Sequence, residues 1–243
     1  MSNQNSARVA VITGASSGIG AATARALAAQ GYTIALLARR LDRIEALAQE
    51  LGNGSIAIQA DVTDREQILD AAQRVKNELG GADVLMNNAG IMLLGPFGPE
   101  RRDDYRTMVE ANLLGAITTA EVFLDQLKDG GGDLINISSV AGRTARATNG
   151  VYAATKWGIN GWSESLRQEL LPDVRVTLIE PGMVDTDLPS HITDVATREA
   201  VQKGYDSATV TPEEIAEVIA FVLGRPRHLV INEVLLRPAD QLG

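Results

Sequence analysis

Tyr152 and Lys156 stand four residues apart in the segment Tyr-Ala-Ala-Thr-Lys, a spacing that puts two side chains on one face of a helix. A phenol with its ordinary pKa of ~10 is a poor acid–base group at neutral pH. An ammonium one turn away favours the phenolate, so Tyr152 is expected to titrate below that value. Upstream, Ser138 and Ser139 close a short apolar run. A hydroxyl from Ser139 can hold and polarise a carbonyl while Tyr152 delivers the proton. Taken alone, Tyr-x-x-x-Lys is a weak signal, because many surface helices contain it by chance. It gains weight from the Asn87-Asn88-Ala89-Gly90 turn and from a glycine-rich segment near the start of the chain.

That segment is Thr13-Gly-Ala-Ser-Ser-Gly-Ile-Gly20, between an apolar run and an Ala-rich one. Strand, glycine turn and helix in this order form a dinucleotide-binding element. Gly14 allows the tight turn, Gly18 the approach of a pyrophosphate, and Gly20 close helix–strand packing. Ser16, Ser17 and Ile19 complete the turn, whose helix N-terminus offers N–H groups to an anion. A P-loop would need Gly-Lys-Ser/Thr and fails. Gly14–Gly18 also fits a nucleophile elbow around Ser16, but His191 and His228 are the only histidines available as its base. The next apolar run ends in Ala38-Arg39-Arg40, with no carboxylate to accept from a ribose 2′-hydroxyl. Arg39 or Arg40 can pair a 2′-phosphate instead, which selects NADP. The plainer reading is two surface arginines with Asp42 and Glu45 as partners. Asp61 and Val62 end the third run, near the place of the adenine, where Asp61 is a ring contact or a turn residue.

Seven short runs read as strands: Val9–Thr13, Thr33–Ala38, Ser55–Ala60, Asp83–Met86, Asp133–Ser138, Arg175–Glu180 and Leu229–Leu235. Six longer stretches read as helices: Ile19–Gln30, Asp42–Leu51, Asp64–Leu79, Asp103–Lys128, Val151–Leu171 and Pro212–Leu223. Asp42, Asp64 and Thr211 are expected N-caps, and Gly31 and Gly80 follow helices as C-caps do. Alternation from end to end, with no linker or repeat, predicts one doubly wound, Rossmann-type α/β domain over 1–243, with a parallel seven-stranded sheet flanked by helices. Residues 182–211 are polar and weakly periodic, and so are expected to form a substrate-binding loop or lid.

Composition narrows the function. Lys+Arg is 22 against Asp+Glu 31, a formal charge of −9, so a nucleic-acid partner is not expected. There is no Cys and there are two His, which leaves no thiolate chemistry and no expected metal site. No apolar run approaches the ~18 residues of a membrane span, and the first residues, Met-Ser-Asn-Gln-Asn-Ser-Ala-Arg, are polar. A cytoplasmic location is expected.

The ordered set of motifs resembles the short-chain dehydrogenase/reductase family over essentially the whole chain. TGASSGIG (13–20), NNAG (87–90), Asn112 within EANLLG, the Ser139, Tyr152, Lys156 set and PGMVDT (181–186) carry the likeness. The resemblance implies an NADP(H)-dependent oxidoreductase that interconverts a carbonyl and an alcohol on a small-molecule substrate. Tyr152 is then the acid–base group and Ser139 orients the carbonyl. Lys156 binds the nicotinamide ribose and depresses the Tyr152 pKa, and Asn112 holds a water in the proton relay. Pro181, Gly182, Val184 and Thr186 would flank the nicotinamide, and Asn88, Ala89 and Gly90 the adenosine side. Met92, Arg143 and His191 are candidate substrate contacts, although Met92 also reads as packing and the Arg143–Asn149 stretch as solvated loop. A homo-oligomer, dimer or tetramer, is expected, with the closing strand and the RPADQLG tail at a sheet edge or oligomer contact. Two other functions stay open on the residues: a non-catalytic NADP-binding sensor, and a hydrolase built on Ser16.

Overall fold

The computed structural model describes residues 7–207 and 209–241. The first six residues and the last two of the tail lie outside the described residues. Seven strands pair in parallel: β1 Val9–Thr13, β2 Thr33–Ala38, β3 Ile56–Gln59, β4 Val84–Asn87, β5 Asp133–Ile137, β6 Arg175–Pro181 and β7 Glu233–Leu236. Their order is β3-β2-β1-β4-β5-β6-β7, as expected for a doubly wound sheet. A parallel sheet needs both faces covered, and β1 shows how the sequence provides for it. Ala10 and Ile12 join a core built with α1 (Gly18–Ala29), α2 (Leu41–Leu51) and α8 (Pro212–Leu223). Val9 and Val11 face the opposite core, against α3 (Arg65–Leu79), α5 (Gly115–Lys128) and α6 (Gly150–Leu170). Strand order reverses between β1 and β4, which opens a crevice at the carboxyl ends of those strands.

Most element boundaries fall within two residues of those read from sequence, and the exceptions have local causes. β7 begins at Glu233 rather than Leu229 because side chains from β6 capture the approaching backbone. Arg175 donates to the Leu229 carbonyl at 3.1 Å and Thr177 to that of Ile231 at 2.7 Å. The expected helix 103–128 is three pieces: α4 (Arg102–Val109), a π-helical turn Glu110–Leu114, and α5. Asp64 caps α3 by accepting from Glu66 and Gln67 N–H, and Thr211 closes a capping box with Glu214. Asp42 is not an N-cap; it lies in the first turn of α2, with Arg40 at the cap position.

The 182–211 segment is more ordered than its sequence suggests. It holds a 3-10 turn, Leu188–His191, and a further helix, α7 (Val195–Ser207). A parallel bridge between Val184 and Val210 closes its base. Thr197, Ala200, Val201, Gly204 and Tyr205 line the crevice below it, an i, i+3, i+4 stripe of mostly small residues that weakens the apolar period.

Candidate active site

A cavity of about 1120 Å³ runs along the carboxyl edge of the sheet, from Arg39 and Asp61 at one end to Tyr152 and the inner face of α7 at the other. Most of the residues singled out by sequence meet in it, Met92, Pro181, Val184 and His191 among them. Gly20, Asn112 and Arg143 do not line it.

The glycine turn is held from beneath by the Asn-Asn-Ala-Gly segment. Thr13 Oγ1 accepts from the N–H groups of Asn88 and Ala89 at 3.0 and 3.1 Å. Asn88 Nδ2 returns a bond to the Thr13 carbonyl at 3.0 Å. A Cβ on Gly14, which has φ +64°, would stand 2.8 Å from Ala89 Cα, and one on Gly20 would stand 2.7 Å from Asn88 Nδ2. Both glycines therefore serve backbone packing, and Asn88 is a clamp on the turn. Arg40 donates to Ser16 Oγ at 2.8 Å and Ser17 Oγ at 2.9 Å. The Ser16 hydroxyl thus faces a guanidinium, which cannot act as its base. Arg39 reaches outward, its guanidinium 4.0 Å from Asp61 Oδ2. Asp61 itself accepts from Thr63 N and Oγ1 and so organises the turn after β3.

At the other end, Ser139 and Tyr152 are hydrogen-bonded. Ser139 Oγ also accepts from Ala141 N–H at 3.1 Å, and both Ser139 and Tyr152 line the cavity. Ser138 is fixed elsewhere: its hydroxyl donates to Asn160 Oδ1 at 2.6 Å. That difference singles out Ser139 of the pair. Lys156 Nζ lies 5.7 Å from the Tyr152 ring centroid and donates to the Ile137 carbonyl at 3.0 Å. Both side chains are buried. Burial brings the Lys156 ammonium down to about 8. It pushes the Tyr152 phenol up, helped by Tyr205 and opposed by the Ser139 hydrogen bond. The lowered Tyr152 pKa expected from sequence is therefore reversed in the protein alone. Desolvation of a phenolate outweighs a cation that is itself desolvated.

Two further residues are placed otherwise than the sequence suggests. Arg143 lies outside the cavity lining, and its guanidinium bridges Glu180, at 2.7 and 2.8 Å, and Glu233. Glu180 is fully buried, so this ion pair anchors the loop after β5 to β6 and β7. The Asn112 carboxamide is committed on both sides, accepting from Ile91 N–H at 2.7 Å and donating to Ile91 O at 2.9 Å. It also donates to Thr155 Oγ1 at 3.3 Å. The Asn112 side chain thus pins the Ile91 segment to the turn between α4 and α5. The cavity also takes in residues that the sequence did not mark, Tyr205 and Gln241 among them. Tyr205 of α7 is mostly buried and close enough to raise Tyr152; burial lifts its own phenol to about 12. Gln241, in the tail, accepts from Met183 N–H at 2.9 Å.

The short chain dehydrogenase family pattern matches residues 8–197. The chain belongs to that family. A Staphylococcus saprophyticus protein described as an uncharacterized oxidoreductase is 35% identical over 239 residues, covering 96% of this chain and 97% of its own. Among solved structures, an alcohol dehydrogenase from the archaeon Thermococcus sibiricus, complexed with 5-hydroxy-NADP, is similar with a TM-score of 0.86 and 34% identity, covering 97% of this chain and 98% of its own. The closed form of a serine dehydrogenase complexed with NADP+ aligns with a TM-score of 0.89 and 31% identity, covering 97% and 96%. In this short-chain dehydrogenase, no helix among the described residues is long and apolar enough to cross a membrane. Among those residues no group of three His, Asp or Glu side chains could hold a metal ion.

Proposed function

We propose that this oxidoreductase interconverts a carbonyl compound and an alcohol with NADP(H). The observation that carries the reading is the joining of Ser139, Tyr152 and Lys156 to the glycine turn and Arg39 by one continuous cavity. The residues present fit the dinucleotide. Lys156 is a buried ammonium with three donors and, among the described residues, one acceptor, Ile137 O; its remaining donors would hold the nicotinamide ribose. The turn from Gly14 to Gly20 would take the diphosphate, and Arg39 a 2′-phosphate, as the NADP complexes of the similar structures support.

When bound, the nicotinamide supplies or accepts the hydride. The protein's share is the proton and the geometry. Ser139 donates to the substrate oxygen and fixes its position. Tyr152 gives that oxygen its proton in reduction and takes it back in oxidation. An ammonium beside the phenol lowers the cost of the phenolate once the Ser139 proton has turned to the substrate oxygen. Met92, Leu94 and Val201 give the substrate end an apolar wall. Segments 87–96, 191–199 and 237–241 resemble clavulanic acid dehydrogenase, an NADPH-dependent reductase of a β-lactam-derived aldehyde, so aldehydes head the substrate panel. Exposed Leu114 and Trp157, on packed helices, support a homo-oligomer.

The test follows NADPH absorbance with a panel of aldehydes and ketones. Turnover is expected, with a fall in kcat of about 10²–10⁴-fold in Tyr152→Phe. Turnover that survives this change unaltered overturns the mechanism.

A further inference from the structure

The lid carries a histidine toward the phosphate end of the cavity. A Cβ on Gly18 would stand 3.0 Å from Thr186 Cγ2, so the lid's first residues lie against the glycine turn. Within two residues the chain winds into the turn Leu188–His191. Across the same glycine turn, Arg40 holds Ser16 and Ser17. His191, Arg39, Arg40 and both serines border one cavity.

The charged groups around His191 are few. His191 is exposed; its partial desolvation, then Arg39 and Arg40, push its pKa below the usual 6.5, while Asp187 pulls the other way. Asp61, 4.0 Å from Arg39, offsets part of that cation's effect. Arg198 of α7 is turned to the Ile192 carbonyl, and Asp194, just before that helix, accepts from Thr197 N–H. Among the described residues the His191 ring makes no hydrogen bond or ion pair. A third basic group beside two arginines is electrostatically costly to protonate until an anion enters between them.

We propose that His191 binds the phosphates of the dinucleotide as an imidazolium, so that the loaded lid takes up a proton and holds the cofactor more tightly in acid. This rests on the NADP(H) reading above. Phosphate oxygens favour the charged ring and raise its pKa from the depressed starting value. The added affinity is therefore full below the free-protein value and is lost as pH rises through the bound value. The 2′-phosphate's own second ionisation, near pH ~6, acts in the opposite sense. Comparison with a variant at each pH removes that contribution.

The experiment measures NADP+ and NAD+ binding calorimetrically, for the parent protein and His191→Gln, between about pH 6 and pH 8 in buffers of different ionisation enthalpy. We expect the ratio of variant to parent Kd to be about threefold to tenfold in acid, since one pKa unit is tenfold, and to approach unity in base. Proton uptake by the parent should exceed that of the variant, the difference being the share of His191, since the 2′-phosphate and Lys156 exchange protons equally in both. Excess uptake with both dinucleotides supports the proposal through the shared diphosphate; excess uptake with NADP+ alone supports it through the 2′-phosphate. Binding with a pH-independent ratio and the same proton exchange in parent and variant overturns the proposal while leaving the cofactor reading intact. No binding of NADP+ at any pH overturns both.

Discussion

Strand β5 carries a buried charged cluster at each end, and the two are built in opposite ways. At its first residue, Asp133 is almost fully buried and meets Arg8 and Arg175 at 2.6 Å and Arg227 at 3.5 Å. The remaining guanidinium donors reach the Tyr32 hydroxyl and carbonyls of Asp83, Arg225, Pro226, Leu229, Gly132 and Asp173. At its last residue, Ile137 gives one carbonyl to Lys156, a buried cation with two further protons and no other acceptor among the described residues. Buried charge is tolerated where it is paired and hydrogen-bonded. The amino end therefore reads as architecture that fixes β1, β5, β6 and the approach to β7. The carboxyl end is left incomplete by the protein, which is how sites with shifted pKa values are assembled.

The largest expected effect tests the amino end. Asp133→Ala leaves three guanidinium groups around an empty position and should destabilise the fold by about 3–5 kcal/mol. Urea denaturation measures it, and Asp133→Asn separates lost charge from lost volume. Turnover per folded molecule should stay near the parent's. A stable variant with impaired turnover would erase the distinction between the two ends.

The second prediction concerns Lys156. Its folded-state pKa of about 8 lies below the unfolded 10.5, so the native protein binds fewer protons than the unfolded chain between those values. Stability then rises with pH across that window, and the ammonium's cost is greatest below about pH 8, with an upper limit of roughly 3 kcal/mol. Lys156→Met removes this cost and loses one hydrogen bond, worth about 1 kcal/mol. The variant should be at least as stable as the parent at neutral pH, with an advantage that shrinks toward about pH 10 and with turnover abolished. Thermal unfolding against pH reads this directly. A variant weakened at neutral pH would place Lys156 with Asp133 as a structural group.

The contrast between the ends also explains what the sequence disclosed. The glycine turn and the Tyr152–Lys156 pair are local: both depend on spacings of a few residues, which the order of residues displays. The pairing of Arg143 was hidden because its partners Glu180 and Glu233 lie 37 and 90 residues away, so the sequence displays only a cation near the site. Tyr152 misled for a related reason. The helical spacing showed the nearby ammonium, whereas the burial that dominates both groups is a property of the packed fold. Helix α7 was obscured by Thr, Ala and Gly on its inner face, residues that fit beside a cavity but leave a weak apolar period. Tyr205 and Gln241 were hidden with it, since one needs that helix and the other needs the tail folded back on Met183.

The smallest effect extends the same comparison to the two arginines after β2. Arg40 is bonded to Ser16 and Ser17 within the glycine turn, whereas Arg39 is mostly exposed and has, among the described residues, only Asp61 at 4.0 Å. If the less satisfied cation is the one reserved for ligand, the two should fail differently. Arg39→Ala should weaken NADPH by about tenfold, the worth of one charge-assisted hydrogen bond, and leave NADH nearly unchanged. Arg40→Ala should loosen the turn and weaken both dinucleotides together. Fluorescence titration with each cofactor decides between them. Equal losses in Arg39→Ala would remove the 2′-phosphate from Arg39, and selective loss of NADPH in Arg40→Ala would show that a cation already satisfied by the protein can still exchange its partners for a stronger anion.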